Sequence, residues 1–418
     1  MTVPAPGTQE SSWAPSSPAA PSSSSAPSSR SASSSWSASS SSSAPSPPVE
    51  RATSATPSSP VGSSSGPAGR CIDLRSDTVT LPSAEMLATV LDAPLGDDVL
   101  GEDPSVRALE EEAAALLGKE AALLCTSGTA ANQIAVMCLT RRGQEVVLGA
   151  ESHLYALEVA GLATLSQVQA RPVTGRGGVP LAEDYEQALQ APDVTRLQVA
   201  DTGLFALENS YDLNAGRAVT PAQTAEIAEV ARGAGIPVYL DGARLFNAAA
   251  ALEVTPADLC RDVDAVQFCL TKGLGAPVGA VLAGTRELVA EARKARQRLG
   301  GGMRQAGIIA APGRYALAHH LDRIGEDNAR ARLLADRIGD IEGLTIEPVE
   351  TNIVLVRLAG DAARLRDELL TRLDERGVKA KPIGADAFRM VLHLAVDDAD
   401  VDVVAAALQE AMATYRRT

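Results

Sequence analysis

Hydrophobic positions after residue 70 alternate between short apolar runs and longer stretches with helical spacing. Ser105–Leu117 repeats apolar residues at the interval of an amphipathic helix, and Ala121–Cys125 is a short apolar run typical of a buried strand. Pro221–Arg232 is predicted to be a helix because Thr220 is a suitable N-cap and proline occupies the first helical position. The same patterns predict a helix at Thr129–Leu139 and strands at Glu145–Leu148, Pro237–Leu240, Ala265–Leu270 and Ala280–Ala283.

This alternation predicts an α/β fold with a mostly parallel sheet that helices cover on both faces. From His319 onwards the pattern changes to that of a smaller α+β unit. We therefore predict a large domain over residues 71–318 and a small C-terminal domain over 319–418. The predicted elements of the small domain are a helix at Leu321–Ile338, a strand at Thr351–Arg357, a helix at Ala362–Arg376, a strand at Arg389–Leu394 and a terminal helix.

Residues 1–70 consist almost entirely of Ser, Pro, Ala and Thr. Such a stretch has too little apolar surface to offset the entropy that folding would cost, so we predict a disordered tail. It also lacks the basic start and the apolar core of a secretory signal.

Composition excludes several functional classes. The formal net charge of −15 argues against a nucleic-acid partner, which needs a basic face. No apolar run reaches the ~18 residues of a membrane span. The 5 cysteines show no C-x-x-C spacing and the 4 histidines show no metal-ligand spacing, so a cytoplasmic protein without a metal is expected.

Lys272 and Asp241 carry the most specific chemical signal. Each follows an apolar strand, and ligands of parallel sheets bind beyond the carboxyl ends of strands. Lysines in Schiff-base chemistry need partial desolvation, and Lys272 lies on a glycine-rich turn. A lysine that holds an aldehyde and an aspartate that keeps a ring nitrogen protonated are what pyridoxal 5′-phosphate (PLP) requires. Taken singly, Asp241 could be a helix cap and Lys272 a solvated loop residue.

Two further segments fit the same cofactor. Ser127, Gly128 and Thr129 join a strand to a helix, where backbone N–H groups and the helix N-terminus favour an anion such as phosphate. This segment alone could equally be an ordinary N-cap. His153 follows the next strand and could stack on a flat ring or exchange protons, although a polar loop histidine is the alternative.

Six segments together resemble the low-specificity L-threonine aldolases of the β-eliminating lyase family. They are Asp73–Thr80, Gly96–Pro104, the Ser-Gly-Thr loop with Asn132, Asp241–Asn247 with Lys272–Leu274, and Gly300–Gln305. The resemblance spans residues 71–418. It implies a fold-type-I PLP-dependent transferase-like architecture, and a homodimer or homotetramer whose active sites are shared between subunits.

The resemblance also implies roles for individual residues. Lys272 should hold the cofactor aldehyde, Asp241 the ring nitrogen, and His153 should stack on the ring. The phosphate should be bound by Ser127, Gly128 and Thr129, and by Arg304 of a neighbouring subunit. Ser76, Arg244 and Arg389 should receive the substrate carboxylate, a task that suits the guanidinium fork.

The expected activity is retro-aldol cleavage of L-threonine, L-allo-threonine and related β-hydroxy-α-amino acids to glycine and an aldehyde. Where family members often carry a second histidine this chain has Gln198, and Tyr211 stands where Thr-His is common. Neither side chain serves easily as a general base near neutral pH, so the base is left open. The alternatives are a PLP lyase that carries out β-elimination and, from a different class, a PLP-binding regulatory protein.

Overall fold

The structure is a computed structural model that describes residues 70–191, 193, 195, 197–359 and 366–415. The predicted disordered tail lies outside the described residues, apart from Arg70. The first residues of the helix predicted at Ala362–Arg376 lie outside them as well.

A central sheet of seven strands organises the described chain, in the order β2-β8-β7-β6-β5-β3-β4. β8 is antiparallel to β2 and β7, and the other neighbours are parallel. Over the described residues the strands are β1 (Ile72–Asp73), β2 (Ala121–Cys125), β3 (Glu145–Gly149), β4 (Gln169–Val173), β5 (Thr202–Glu208), β6 (Val238–Asp241), β7 (Ala265–Cys269), β8 (Ala280–Gly284), β9 (Leu344–Ile346), β10 (Ile353–Leu358), β11 (Val378–Lys379), β12 (Lys381–Ile383) and β13 (Ala387–Val391).

Several helices begin at a residue whose side chain caps them. The Thr220 side chain accepts a hydrogen bond from the backbone N–H of Gln223, whose own side chain returns to the Thr220 backbone, so a capping box starts the helix at Pro221. The helices of the described residues are α1 (Ala84–Ala88), α2 (Pro104–Leu117), α3 (Gly128–Leu139), α4 (His153–Ala156), α5 (Ala182–Ala188), α6 (Pro221–Ala234), α7 (Leu245–Leu252), α8 (Pro256–Cys260), α9 (Arg286–Arg298), α10 (Gly307–His319), α11 (Ile324–Ile338), α12 (Arg366–Glu375) and α13 (Asp398–Tyr415).

Apolar residues on both faces of the central sheet are buried. Along β5, Leu204 and Ala206 belong to one hydrophobic core, while Phe205 and Leu207 belong to the other. Side chains of a strand point alternately to opposite faces, so helices must pack on each side of the sheet. The predicted α/β class and the mainly parallel sheet are confirmed.

The C-terminal part of the chain has a core of its own. The sheet β12-β13-β10-β9 packs with α11, α12 and α13, and Leu74 from the start of the described chain is buried in the same core. β1 pairs in parallel with β11. The domain boundary at residue 319 stays a prediction. Among the described residues, no helix combines the length and the apolar character needed to cross a membrane.

The prediction omitted the strand at the centre of the parallel region. β5 lies between β6 and β3, so it connects the strand that ends in Asp241 with the strand that precedes His153. Its Leu-Phe-Ala-Leu core has few of the β-branched residues that mark strands, so composition alone gives little warning of it.

Candidate active site

The carboxyl edge of the central sheet brings the predicted residues together. Asp241 is the last residue of β6, and Lys272 follows the end of β7, the strand beside it. His153 follows β3 and begins α4. They surround a cavity of about 180 Å³, whose lining also includes Gly128 and Thr129.

Lys272 is half-buried, and its amino group has no hydrogen bond or ion pair with any part of the chain that the structure describes. Its backbone is held firmly instead. The Lys272 carbonyl accepts hydrogen bonds from the Thr80 hydroxyl at 3.2 Å and from the Gly275 backbone N–H at 2.8 Å. Gly275 has a φ of +71°, which glycine adopts without strain. A fixed turn thus presents a free amine to the cavity.

Asp241 is 1% exposed, and dedicated donors satisfy its carboxylate. Asn132 Nδ2 donates to Oδ2 at 2.7 Å, while Gln267 Nε2 and the Ala243 backbone N–H donate to Oδ1 at 2.5 Å and 3.1 Å. These donors are neutral, so the negative charge of the carboxylate is stabilised without being cancelled by a cation. The carboxylate can therefore serve a protonated ring nitrogen.

His153 is held at its ring and at its backbone. Its Nδ1 lies 2.8 Å from Glu158 Oε1, and its backbone N–H donates to Glu208 Oε2 at 2.6 Å. The hydrogen bond with Glu158 raises the pKa of His153, partial burial lowers it, and the charge of Asp241 raises it further. Burial raises the pKa of Glu208 to about 8, and the neighbouring Asp241 charge acts in the same direction.

The Ser127–Thr129 segment begins α3 as predicted. Ser127 Oγ accepts the backbone N–H of Ala130 at 3.1 Å, so Ser127 does cap the helix. An ideal Cβ on Gly128 would lie 2.7 Å from Cys269 Sγ, so a larger residue would not fit there. The exposed Thr129 and the neighbouring Gly128 line the same cavity as Lys272. An N-cap and an anion site are both compatible with this geometry.

Two predicted arginines form a buried cluster beside the cavity. Arg244 donates to both carboxylate oxygens of Asp77, at 2.7 Å and 2.8 Å, and through Nη1 to Asp212. Arg389 Nη1 lies 2.9 Å from the same Asp212 carboxylate. Burial opposes the ionisation of Asp77 and Asp212. The charge of Arg244 is the largest of the attractions that outweigh burial, so the pKa of Asp77 lies below its ordinary value and that of Asp212 lies well below it. Thr78 and Ala243, the chain neighbours of Asp77 and Arg244, line the cavity, so the cluster adjoins it.

Ser76 and Arg304, like Ser127, Arg244 and Arg389, are not among the residues that line the cavity. Ser76 Oγ accepts a hydrogen bond from the backbone N–H of Thr78. Thr78 lines the cavity, so Ser76 lies close to the cavity lining. The Arg304 side chain is 61% exposed and pairs with Asp97 of its own chain. The predicted roles of Ser76 and Arg304 stay predictions.

Sequence reasoning missed the residues that hold the site together. They are Asp77, Asn132, Glu158, Glu208, Asp212 and Gln267. Asp77 and Asn132 lie inside motifs whose neighbouring residues were predicted to form the site. Glu158 lies shortly after His153, beyond the end of α4. In each case the signal in the sequence is a polar residue close to a predicted site residue, at a position where burial is expected.

Gln198 and Tyr211 stand where relatives often carry a histidine, and neither of them lines the cavity. Gln198 is exposed on a loop. Tyr211 is 1% exposed, and burial raises its pKa well above the ordinary value, so its hydroxyl stays protonated. His153 is the imidazole among the residues that line the cavity.

The residues of the cavity fit PLP. A free amine on Lys272, a buried carboxylate on Asp241 and the N-terminus of α3 beside Gly128 correspond to the aldehyde, ring nitrogen and phosphate of that cofactor. The ligand atoms of His153, Glu158 and Asp241 lie within 4.8 Å of one another, and the Asn132 amide donates to both carboxylates. The Asn132 amide therefore bridges the carboxylates of Glu158 and Asp241, a task that a cation performs in many other sites.

Comparison with known proteins gives one consistent family. A sequence profile described as beta-eliminating lyase matches residues 73–361. Low-specificity L-threonine aldolase 1 of Arabidopsis thaliana is 37% identical over 351 residues, which cover 83% of this chain and 98% of the relative. Low specificity L-threonine aldolase of Escherichia coli K12 is 37% identical over 335 residues, covering 80% and 97%.

Solved structures show the same fold at lower identity. Threonine aldolase of Leishmania major superposes with a TM-score of 0.70 at 18% identity, covering 82% of this chain and 99% of that one. Serine palmitoyltransferase of Sphingomonas wittichii gives a TM-score of 0.67 at 19% identity, covering 83% and 88%. The shared architecture is that of fold-type-I PLP enzymes.

The buried arginine cluster predicts a large effect on stability. Arg244→Met should lower the free energy of unfolding at pH 7 by about 3–5 kcal/mol, because Asp77 would lose its charged partner while buried. The exposed pair of Arg337 and Asp402 offers a control, and Arg337→Met should cost about 0–1 kcal/mol. Urea unfolding measures both.

The same cluster fixes the direction of a pH effect. The folded-state pKa values of Asp77 and Asp212 are depressed, so their contribution is present above the unfolded pKa of about 4 and is lost as the pH falls through the lower folded values. The difference in the free energy of unfolding between wild type and Arg244→Met should therefore shrink as the pH falls below about 4. Equal costs for the two arginine variants at pH 7 would contradict this account.

Proposed function

This chain belongs to the beta-eliminating lyase family and, within it, to the low-specificity L-threonine aldolases, and from that premise we propose that it cleaves L-threonine, L-allo-threonine and related β-hydroxy-α-amino acids. The products are glycine and an aldehyde, which is acetaldehyde when threonine is the substrate. The observation that carries the proposal is the presence of the Lys272 amine and the buried Asp241 carboxylate in one cavity at the carboxyl edge of the sheet.

Lys272 would hold the aldehyde of the cofactor and Asp241 its ring nitrogen, with His153 against the ring. Ser127, Gly128 and Thr129 would bind the phosphate. Bound PLP supplies an electron sink, which takes up the electron pair left on Cα when the bond to Cβ breaks. The remaining tasks belong to the chain, which must fix the substrate carboxylate and accept the proton of the β-hydroxyl group.

The carboxylate task falls to the cluster of Arg244 and Arg389. Arg389 is 3% exposed, and its Nε is buried without a hydrogen-bond partner in the described chain, so it offers a free donor. Arg244 shares Asp212 with Arg389 and so fixes its orientation, while Ser76 lies near the same segment. A carboxylate bound there determines which Cα bond stands perpendicular to the cofactor ring, and that bond is the one that breaks.

The proton task falls to His153. Its Nδ1 is already occupied by Glu158, so Nε2 is the nitrogen that can take the hydroxyl proton directly or orient a water that does. Gln198 is exposed and the buried Tyr211 has a raised pKa, so the proposal gives this task to neither of them. Protonation at Cα then gives glycine.

A second copy of this chain would complete the site. The segment between residues 81 and 100 exposes large apolar side chains, with Leu81 79% exposed, Leu91 87% and Leu100 66%. Arg304 lies against this segment, since its carbonyl accepts the backbone N–H of Asp98. We propose that this face pairs two subunits of a homodimer or homotetramer and that it carries Arg304 to the phosphate of its partner.

We also propose a cytoplasmic location for the enzyme. The five cysteines of the chain are unpaired thiols, as is usual in a reducing compartment.

The activity is tested directly by incubating the enzyme with PLP and L-threonine, L-allo-threonine or L-serine. We expect glycine and acetaldehyde from threonine. Lys272→Ala should abolish turnover and the absorbance near the visible edge that reports cofactor bound to the lysine. Lys294→Ala, an exposed lysine paired with Glu291, is the control and should retain both. Pyruvate and ammonia from serine, with threonine and other β-hydroxy amino acids inert, would favour β-elimination instead.

Arg389 should govern substrate binding. Arg389→Met should lower kcat/KM for threonine by roughly 100-fold, because a charge-assisted hydrogen bond to the carboxylate is lost. Arg357→Met is the matched control, since Arg357 is an exposed residue of the neighbouring strand β10. Steady-state kinetics decide: equal kcat/KM for the two variants would rule out the assigned role of Arg389.

Shared sites predict recovery of activity on mixing. Lys272→Ala should be inactive and Arg304→Ala weakly active, whereas dissociating and reassociating them together should restore about one quarter of wild-type activity. The fraction follows because random pairing makes half the dimers mixed, and each mixed dimer has one intact site. If Arg304 acts within its own subunit, each mixed dimer would contain no intact site and no activity would return.

A further inference from the structure

The carboxylate of Glu158 is fully buried and joins the two groups that would face the cofactor ring. Its side chain is 0% exposed, and Oε1 lies 2.8 Å from His153 Nδ1. Asn132 Nδ2 donates to the same oxygen at 2.6 Å, and Gln133 Nε2 donates to Oε2 at 2.6 Å. A buried carboxylate without a lysine or arginine partner is unusual, so its presence calls for a specific role.

Asn132 ties Glu158 to the other buried carboxylate. Its amide nitrogen donates to Glu158 and to Asp241, and its Oδ1 accepts the Tyr239 hydroxyl at 2.6 Å. All three hydrogen bonds of this amide run to fixed partners, so its orientation is determined. His153 and Asp241 are thereby held relative to each other by one continuous hydrogen-bonded chain through Glu158 and Asn132.

The backbone directly after Glu158 adopts a strained, left-handed conformation at two consecutive residues. Val159 and Ala160 have φ values of +52° and +57°, a region that costs residues with a side chain roughly 1–2 kcal/mol each and suits a β-branched valine least. Val159 is 93% exposed, so no packing of its own side chain offsets the cost. The chain turns sharply here, while Glu158 itself points inward.

We propose that Glu158 is a positioning residue for the reaction: it holds His153 in the tautomer that carries the proton on Nδ1, which leaves Nε2 as the proton acceptor. The inference rests on the proposed function, because Glu158 matters to the reaction only if His153 accepts the substrate proton. An ionised carboxylate has only acceptors, so the ring nitrogen that faces it must be the one that bears hydrogen. Glu158 acts through His153, with no contact to the substrate required.

Four charged or titratable groups surround the imidazole. Glu158 bonds to the ring, Glu208 accepts the backbone N–H, and Asp241 and Lys272 act across the cavity. Glu158 makes the largest contribution and raises the pKa of His153, whereas Lys272 lowers it. Removing the Glu158 charge should therefore lower the pKa of His153, and the acid limb of activity should move to lower pH.

Glu158→Gln isolates the charge, because the structure already contains a partner for the new amide. Gln133 Oε1 is buried and has no hydrogen-bond partner in the described chain. Rotating the Gln133 amide by half a turn would point this oxygen at the amide nitrogen introduced at position 158. The remaining side-chain oxygen at that position keeps its bonds to His153 and Asn132. The variant should fold, retain the Nδ1–H tautomer and lower the pKa of His153, because the charge that raises this pKa is gone.

Glu158→Leu removes the acceptor itself. We expect the Nδ1–H preference of His153 to be lost and kcat/KM for threonine to fall on the order of 10- to 100-fold, chiefly through kcat. Glu151→Gln is the matched control, since it removes a carboxylate from the same loop and no described contact joins it to His153. It should change neither the tautomer nor the activity.

The tautomer and the pKa are measured by nitrogen-15 NMR of histidine-labelled holoenzyme, with His153 assigned by its loss in His153→Asn among the 4 histidines. The same variants are assayed for kcat and KM across the acid limb and the neutral range. An unchanged tautomer and unchanged kcat in Glu158→Leu would overturn the proposal, as would an unshifted His153 pKa in Glu158→Gln. If threonine and its analogues were not cleaved, the proposed function would fail, and the NMR results would still decide whether Glu158 sets the ring.

Discussion

The burial of several carboxylates at the carboxyl edge of one parallel sheet is the constraint on which the rest of this site depends. Asp77, Glu158, Glu208 and Asp241 are each no more than 4% exposed. An uncompensated carboxylate is costly to bury, so every one needs donors in fixed positions. The surrounding loops are shaped by those needs.

The structure meets this constraint in two different ways. Near the arginines, charge is balanced by charge, because Arg244 is shared between Asp77 and Asp212. Around Asp241 and Glu158 the partners are amides, a backbone N–H group and the imidazole of His153, and no lysine or arginine pairs with either carboxylate in the described chain. The first arrangement suits a site that must bind an anion rigidly. The second suits a site that must keep a cofactor nitrogen and an imidazole in defined protonation states.

The predictable part of the site was the part with local signatures. Lys272 and Asp241 each end an apolar strand, and the glycine turn and the N-cap at Ser127 are visible in a few residues. Glu158 was not predictable in this way. Its partners Asn132 and His153 lie in α3 and α4. The chain after Glu158 also has two positive φ values, a conformation that valine and alanine rarely adopt and that the sequence therefore does not predict. The strand β5 was missed for a related reason, because its leucines and alanine suit a helix equally well.

The sequence by itself determined the fold class and predicted that Lys272 and Asp241 share one site. Alternating periodicity specifies a parallel sheet, parallel strands share one carboxyl edge, and a lysine and an aspartate after adjacent strands must therefore meet. Only the tertiary structure decided how those groups are held. The partners of Asp241, His153 and Arg389 come from segments distant in sequence, and a hydrogen bond depends on distances that folding alone creates. It also decided that Tyr211 is buried and that Gln198 faces outward, which leaves His153 as the imidazole at the cavity.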